Sequence, residues 1–128
     1  GDRVRTLADA ADVGAFVLVE SPAMEADAWV ELLAKPGADG RLLALAERVS
    51  VTREWSLAAL EAATRALAAE LGLKPGEIIA PARVALTGRR AAPGIFEVMW
   101  LLGSERVRAR LTAAAERWRA ESPLAAGA

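Results

Sequence analysis

The sequence predicts an all-α fold, a helical bundle of about six short-to-medium helices, and three observations lead there. The 128 residues are 54% hydrophobic but only 5% aromatic. About a quarter are Ala, and Leu is plentiful while Thr, Ile and Tyr are scarce, a balance that favours helix over sheet. Apolar residues recur at spacings of three, four and seven between Gly and Pro stops, and no stretch reads as a strand. A chain of this length makes one domain or two small lobes, and it can bury a core without a disulfide or metal staple.

Each element follows from its own signals. Arg3 to Asp12 reads as a helix stopped at Gly14, and Ala15 to Val19 as a short apolar segment that is either extended or docked against a neighbouring lobe. Ser21-Pro22 breaks the chain and starts the next helix, Glu25 to Ala34, with Ala28, Trp29, Leu32 and Leu33 on one face and Lys35-Pro36-Gly37 as its end. Asp39 is the expected cap of Gly40 to Val49, whose apolar residues are Leu42, Leu43, Leu45 and Ala46. Past a joint near Ser50, Ser56 is a good N-cap for Leu57 to Leu71, where Leu57, Leu60, Leu67 and Leu71 make a stripe and Gly72 is the C-terminal glycine. Lys74-Pro75-Gly76 is a turn. Ile78 to Thr87 is apolar and helical, with Pro81 either starting or kinking it. Gly88 to Ala92 is a loop, Pro93 opens a helix through Leu102, and Gly103 ends it. Ser104 then caps an amphipathic helix to about Trp118, with Val107 and Leu111 inward. Its Arg106, Arg108, Arg110, Arg117 and Arg119 read as a solvated face, and Glu121 to Ala128 as a fraying tail. Trp29, Trp55, Trp100 and Trp118 are expected in the core or between lobes, supplying bulk that Ala does not.

Missing residue types exclude much chemistry. With no Cys there is no disulfide frame, thiolate nucleophile or zinc finger, and with no His there is no Ser–His triad and no imidazole acid or base. No Walker loop or dinucleotide-binding glycine pattern is present; a carboxylate-only metal or acid/base site is the one such chemistry left open, and no catalytic residues and no metal ligands are assigned. Ala15 to Val19 is far too short to cross a bilayer, and Gly1-Asp2-Arg3 opens no signal peptide, so the expectation is a cytoplasmic protein without membrane contact. With 16 basic and 17 acidic side chains, any nucleic-acid contact has to be a local cluster of Arg, which supplies all the basic residues except Lys35 and Lys74.

The informative stretch runs from Leu71 to Leu111. It reads Leu71-Gly72-Leu73-Lys74-Pro75-Gly76, then Pro81-Ala82-Arg83-Val84-Ala85-Leu86-Thr87-Gly88, then Pro93-Gly94-Ile95-Phe96-Glu97, then Leu101-Leu102-Gly103-Ser104-Glu105-Arg106 and Arg110-Leu111. In order and spacing these blocks resemble the C-terminal anticodon-binding domain of bacterial glutamyl-tRNA synthetase, a class I aminoacyl-tRNA synthetase. Glu54-Trp55-Ser56 before an amphipathic helix fits the same domain, and Arg5-Thr6-Leu7 resembles the region joining its two helical subdomains. The resemblance implies residues 1–50 as the end of a first helical subdomain with its connector, and residues 51–128 as the C-terminal anticodon-binding subdomain.

It also implies a partner, the anticodon stem-loop of tRNA(Glu), and an upstream catalytic domain in a parent chain that uses ATP and Mg to charge the tRNA. This piece would act as a monomer, with no cofactor and no catalytic site of its own. An exposed Ala15 to Val19 would favour a non-native dimer in a crystal. Arg83 and the corner Ala92-Pro93-Gly94-Ile95 are implied to read anticodon bases, Arg89 and Arg90 to meet the tRNA backbone, and Arg3 or Arg5 to touch the third anticodon base. The chemistry suits those roles. Loop bases are splayed out, stacked and bonded on their edges, and a guanidinium fork can donate to both O2 and N3 of cytosine. Pro93-Gly94 at a helix start bares backbone N–H groups, Ile95 offers a surface for a base face, and Arg89-Arg90 lies where phosphates pass.

Three positions depart from the family pattern: Ala92 stands where Ser or Thr is usual, Ala82 for Leu, and Ser104 for Lys. Taken alone, Arg83 also reads as a surface Arg packing its stem on the bundle. Two alternatives differ in class. One is a stand-alone helical protein-interaction module that kept the fold without the RNA task. The other is a helix-turn-helix DNA binder built on the Arg-rich last helix.

Overall fold

The computed structural model describes residues 23–91 and 94–125. Among them the chain forms six α-helices and no strand: α1 Ala26–Leu33, α2 Ala38–Ser50, α3 Leu57–Glu70, α4 Gly76–Thr87, α5 Ile95–Leu102 and α6 Ser104–Glu121. The all-α expectation holds. The expected helix over Arg3 to Asp12, the Gly14 stop, the segment Ala15 to Val19, the Ser21-Pro22 break and Pro93 as a helix opener lie outside the described residues.

One core joins all six helices. Ala28, Trp29 and Leu32 of α1 and Leu42, Leu45, Ala46 and Val49 of α2 are buried at the spacing the sequence showed, with Leu33 and Leu43 half-buried at its edge. The longest helix, α6, is the spine, and α2 packs against it more extensively than any other pair does. Val107, Leu111, Ala114, Ala115 and Trp118 form its buried stripe. Ala at 28, 38, 46, 68, 114 and 115 lets helix backbones approach closely, because a methyl takes little room at the crossing.

The spine also answers a hydrogen-bond need. The last carbonyls of a helix have no partner within it. Trp118 Nε1 donates to the Leu32 carbonyl at 2.9 Å, and Ser122 Oγ to the Leu33 carbonyl at 2.7 Å, both at the end of α1. Arg110 donates to the Leu86 carbonyl at 2.8 Å, at the end of α4. At the end of α5, Trp55 Nε1 serves the Trp100 carbonyl at 3.1 Å.

Several expectations need correction. Asp39 does not cap α2. Gly37 holds the cap position, and Asp39 sits in the first turn, where its carboxylate accepts from Arg119 of α6 at 2.7 Å. Partial burial pushes its pKa up, but the Arg119 bond and the Gly40 N–H outweigh that and hold it below the ordinary carboxylate value. Ser56 does cap α3, accepting from the Ala59 N–H at 3.1 Å, but only the middle of the Leu stripe is buried. Leu57 and Leu71 are exposed, and the buried face is Leu60, Thr64, Leu67 and Ala68. Thr64 is tolerated there because its hydroxyl donates to the Leu60 carbonyl at 2.9 Å.

Pro81 lies inside α4, which starts at Gly76 rather than Ile78. Proline cannot donate to the carbonyl four residues back, that of Glu77. Arg41 of α2 reaches this carbonyl at 3.4 Å and the Glu77 carboxylate at 3.9 Å, so the gap is partly filled from outside the helix. Ser104 is the first residue of α6 rather than its cap, which falls on Gly103 with no side-chain bond. The helix runs on to Glu121, and the chain after it is tied down by buried Ser122, which also accepts from the Leu124 N–H at 3.0 Å. Of the four Trp, Trp29 and Trp118 are buried and Trp55 is half-buried, but Trp100 is 49% exposed. It shares α5 with Val98, Met99 and Leu102, which take the inward positions of that short helix.

Candidate functional site

The end of α4 and the start of α5 build the corner that the sequence singled out. α4 ends because Gly88 turns left-handed at φ 78, its N–H bonding back to the Val84 carbonyl at 2.7 Å. The Thr87 hydroxyl knots the turn. It donates to the Arg83 carbonyl at 2.7 Å and accepts from the Arg89 N–H at 3.1 Å. From the other side, the Glu25 N–H donates to the Gly88 carbonyl at 2.8 Å, which fastens the entry of α1 to the exit of α4. Beneath the turn, the Arg110 guanidinium, only 6% exposed, meets the Leu86 carbonyl. Burial pushes its pKa down, and Arg106 pushes the same way.

The predicted residues fall into three groups. Arg83 is half-buried on the last turns of α4, one turn from the corner, and Arg89 and Arg90 are exposed on the loop itself. Arg83 Nε is buried and has no hydrogen-bond partner among the described residues. Arg90 pairs at 3.6 Å with Glu31 of α1, with both side chains more than half exposed. Such a pair is weak enough to exchange for a phosphate. Glu31 also stands on the rim of a cleft of about 380 Å³ between α1 and α4, walled by Ala28, Leu32, Pro81 and Val84.

Gly94 and Ile95 are described, and they correct one expectation. Ile95 is 4% exposed and belongs to the core, so its side chain offers no open surface for a base. What Ile95 can present is its backbone N–H. With Gly94 as N-cap and no side-chain cap bond, the first N–H groups of α5 have no intrahelical partner. The Glu97 carboxylate lies over Gly94, close enough that a Cβ there would meet it. Ala92, Pro93, Arg3 and Arg5 lie outside the described residues.

Two residues of the corner were missed by sequence reading. Thr87 looked like one more member of a motif, yet its hydroxyl holds Arg83 and Arg89 in register. Arg110 was read as part of a solvated face. Its spacing carried the signal, because it falls three residues after Val107 and four before Ala114 on the buried stripe. The described residues gather no group of three or more acidic side chains that could hold a metal ion. No described helix is long and apolar enough to cross a membrane.

Known proteins resemble the chain over nearly all its length. A family profile described as "Anticodon binding domain" matches residues 1–115. The chain is 39% identical over 117 residues to a glutamate–tRNA ligase of Moorella thermoacetica, covering 91% of this chain and 24% of that protein. It is 39% identical over 110 residues to glutamate–tRNA ligase 1 of Beijerinckia indica, covering 86% of this chain and 23% of that one. The chain thus spans about a quarter of the length of these relatives. Its fold is similar to part of a crystal structure of a glutamate tRNA ligase from Elizabethkingia meningosepticum, with a TM-score of 0.72 at 22% identity over 80% of this chain and 20% of that one.

Proposed function

Since the chain belongs to the anticodon-binding domain family, we propose that it recognises the anticodon stem-loop of tRNA(Glu) as one part of a glutamate–tRNA ligase. The observation that carries this is the corner at the end of α4. There Arg83, whose buried Nε has no hydrogen-bond partner among the described residues, stands on the last turns of α4, exposed Arg89 and Arg90 follow on the loop, and α5 begins after them at Gly94 without a side-chain bond from its N-cap. Arg83 supplies a planar donor fork for a base edge. Arg89 and Arg90 supply phosphate contacts that position the loop without reading it. Ala92 and Pro93 lie between these groups in sequence, and on this reading their backbone completes the base-reading corner.

The proposal assigns selection to this chain and chemistry elsewhere. On this reading residues 1–50 belong to the end of a first subdomain with its connector, and residues 51–128 to the C-terminal anticodon-binding subdomain. Amino-acid activation with ATP and Mg belongs to an upstream catalytic domain of the parent ligase, acting in the cytoplasm, and a monomer suffices for recognition. Arg3 or Arg5 contributes to the third anticodon base. Alone, the chain binds RNA weakly, because contacts along the rest of the tRNA no longer add to it.

The test is binding of the tRNA(Glu) anticodon stem-loop against stem-loops with altered anticodon bases. The wild type prefers the first. Arg83→Ala weakens its binding by about 1–3 kcal/mol and narrows the preference, as loss of a base-reading fork does. An unchanged preference removes Arg83 from the reading. Wild-type binding that ignores the anticodon bases overturns the function itself and favours a protein-interaction module.

A further inference from the structure

We propose that Arg110 is a positioning residue for RNA reading: from beneath, it sets the geometry of the Arg83–Thr87–Gly88–Arg89 corner without touching RNA. The inference rests on the function proposed above and extends it to a residue on a different helix.

Arg110 is the most deeply buried charged side chain among the described residues, at 6% exposure. Burying a guanidinium is unfavourable unless its donors are used. Here one is used on the Leu86 carbonyl at 2.8 Å. That carbonyl lies in the last turn of α4, where the helix provides no N–H for it and where the partial negative charge of the helix end collects. The bond therefore fixes the last turn against α6, a rigid element whose Val107 and Leu111 are fully buried on either side of Arg110.

From Leu86 the constraint passes through adjoining bonds. Thr87 follows directly, and its hydroxyl ties the Arg83 carbonyl to the Arg89 N–H. Gly88 is held by its own N–H on Val84 and by the Glu25 N–H on its carbonyl. Arg83 and Arg89 are thus placed by a network anchored from below at Arg110. A merely structural Arg could sit anywhere along the 18 residues of α6, and this one sits under the turn that carries the proposed RNA contacts.

The experiment uses the whole 128-residue chain with Arg110→Gln and, as the conservative variant, Arg110→Lys. Amide hydrogen exchange is measured first, without RNA. In Arg110→Gln the amides of Glu25, Gly88 and Arg89 exchange at least tenfold faster, while those of Leu60 and Leu71 in and after α3 keep their protection. Stem-loop binding comes second. The ratio of affinities between the tRNA(Glu) loop and one with an altered anticodon falls roughly tenfold in Arg110→Gln and is partly restored in Arg110→Lys, which keeps a donor and a charge.

Protection lost evenly across the chain, or kept at the corner, overturns the inference. So does a loosened corner with undiminished base preference. If Arg110→Gln does not fold, Arg110→Lys carries the same two readouts, because a Lys at this depth reaches the carbonyl with different geometry. A wild type without base preference is the separate failure of the function itself. It removes the RNA role, and the exchange data then decide only whether Arg110 holds the turn.

Discussion

Gly88→Ala tests how rigidly the corner is held, and its cost can be worked from the structure. Gly88 has φ 78, a conformation that costs an L-residue about 1–2 kcal/mol. It is also crowded. An added Cβ would stand 2.9 Å from the Ala23 carbonyl carbon and 3.1 Å from the Met24 Cα, and closer still to the Ala23 carbonyl oxygen. All three are backbone atoms, so the segment entering α1 has to move, and the bond from the Glu25 N–H to the Gly88 carbonyl is strained or lost, at about 1 kcal/mol. With the conformation taken at its lower figure of about 1 kcal/mol, the sum is about 2 kcal/mol. Gly72 is the control. It has φ 71 with nothing within 4 Å of an added Cβ, so Gly72→Ala bears only the conformational part, about 1 kcal/mol. For a chain of this length about 1 kcal/mol corresponds to about 4 °C in Tm. Thermal unfolding followed by circular dichroism should then show a loss of about 8 °C for Gly88→Ala and about 4 °C for Gly72→Ala. Equal losses would refute the reasoning, since they mean that residues 23–25 yield to the methyl and do not clamp the corner.

Other expectations follow from the same contacts. Trp29 Nε1 donates to the Glu121 carboxylate at 2.8 Å, Arg117 donates to it at 2.9 Å, and the Arg117 guanidinium stacks 4.3 Å from the Trp29 ring centre. The Trp29 bond first, then Arg117, hold the Glu121 pKa below its ordinary 4.5. A depressed carboxylate contributes stability above its unfolded pKa and loses it as pH falls through the folded value. In urea melts read by Trp fluorescence, wild type should therefore be more stable than Glu121→Gln at pH 6, with the difference closing below about pH 4.5. Ser122→Ala removes the donor from the Leu33 carbonyl and should lower the unfolding free energy by roughly 1–3 kcal/mol in the same assay. Arg89→Ala with Arg90→Ala should weaken all stem-loops alike and lower the salt slope of binding by about 2, as two lost phosphate contacts would. A change in base preference would instead make one of them a base reader.

Helix existence was legible in the sequence, and helix edges were less so. Helical stretches between Gly and Pro announce the six helices found among the described residues, and Leu42, Leu45, Leu60 and Leu67 announce which faces turn inward. What the pattern could not show is where tertiary partners replace local signals. Asp39 has the chemistry of a cap, yet Arg119, 80 positions away, takes its carboxylate. Pro81 has the chemistry of a breaker, yet the helix passes through it because Arg41 meets the carbonyl it leaves. Ser122 looked like the start of a loose tail, yet it closes the end of α1. In each case the deciding bond spans more than 35 residues, beyond the reach of any periodic signal.

The site follows the same division. Arg83, Arg89 and Arg90 were singled out by their motif, and they lie at or just after one end of α4. Ile95 was misjudged because a residue at N1 of a helix can face the core as easily as the solvent, and α5 is too short to spare an inward position. Arg110 was misjudged because charge was taken as a mark of exposure. Its burial in turn explains how a chain of net charge −1 can present a basic corner. The carboxyl end of α4 carries partial negative charge that would repel a phosphate. Arg110 neutralises that end from inside the fold, where no RNA can reach it. The charges on Arg89 and Arg90 then stand beside a helix end that is already neutralised, and Arg90 keeps its loose pair with Glu31. On the proposed reading one buried Arg makes the exposed ones effective, so basicity at this surface is set by which charge is buried beneath the helix end as much as by how many are exposed.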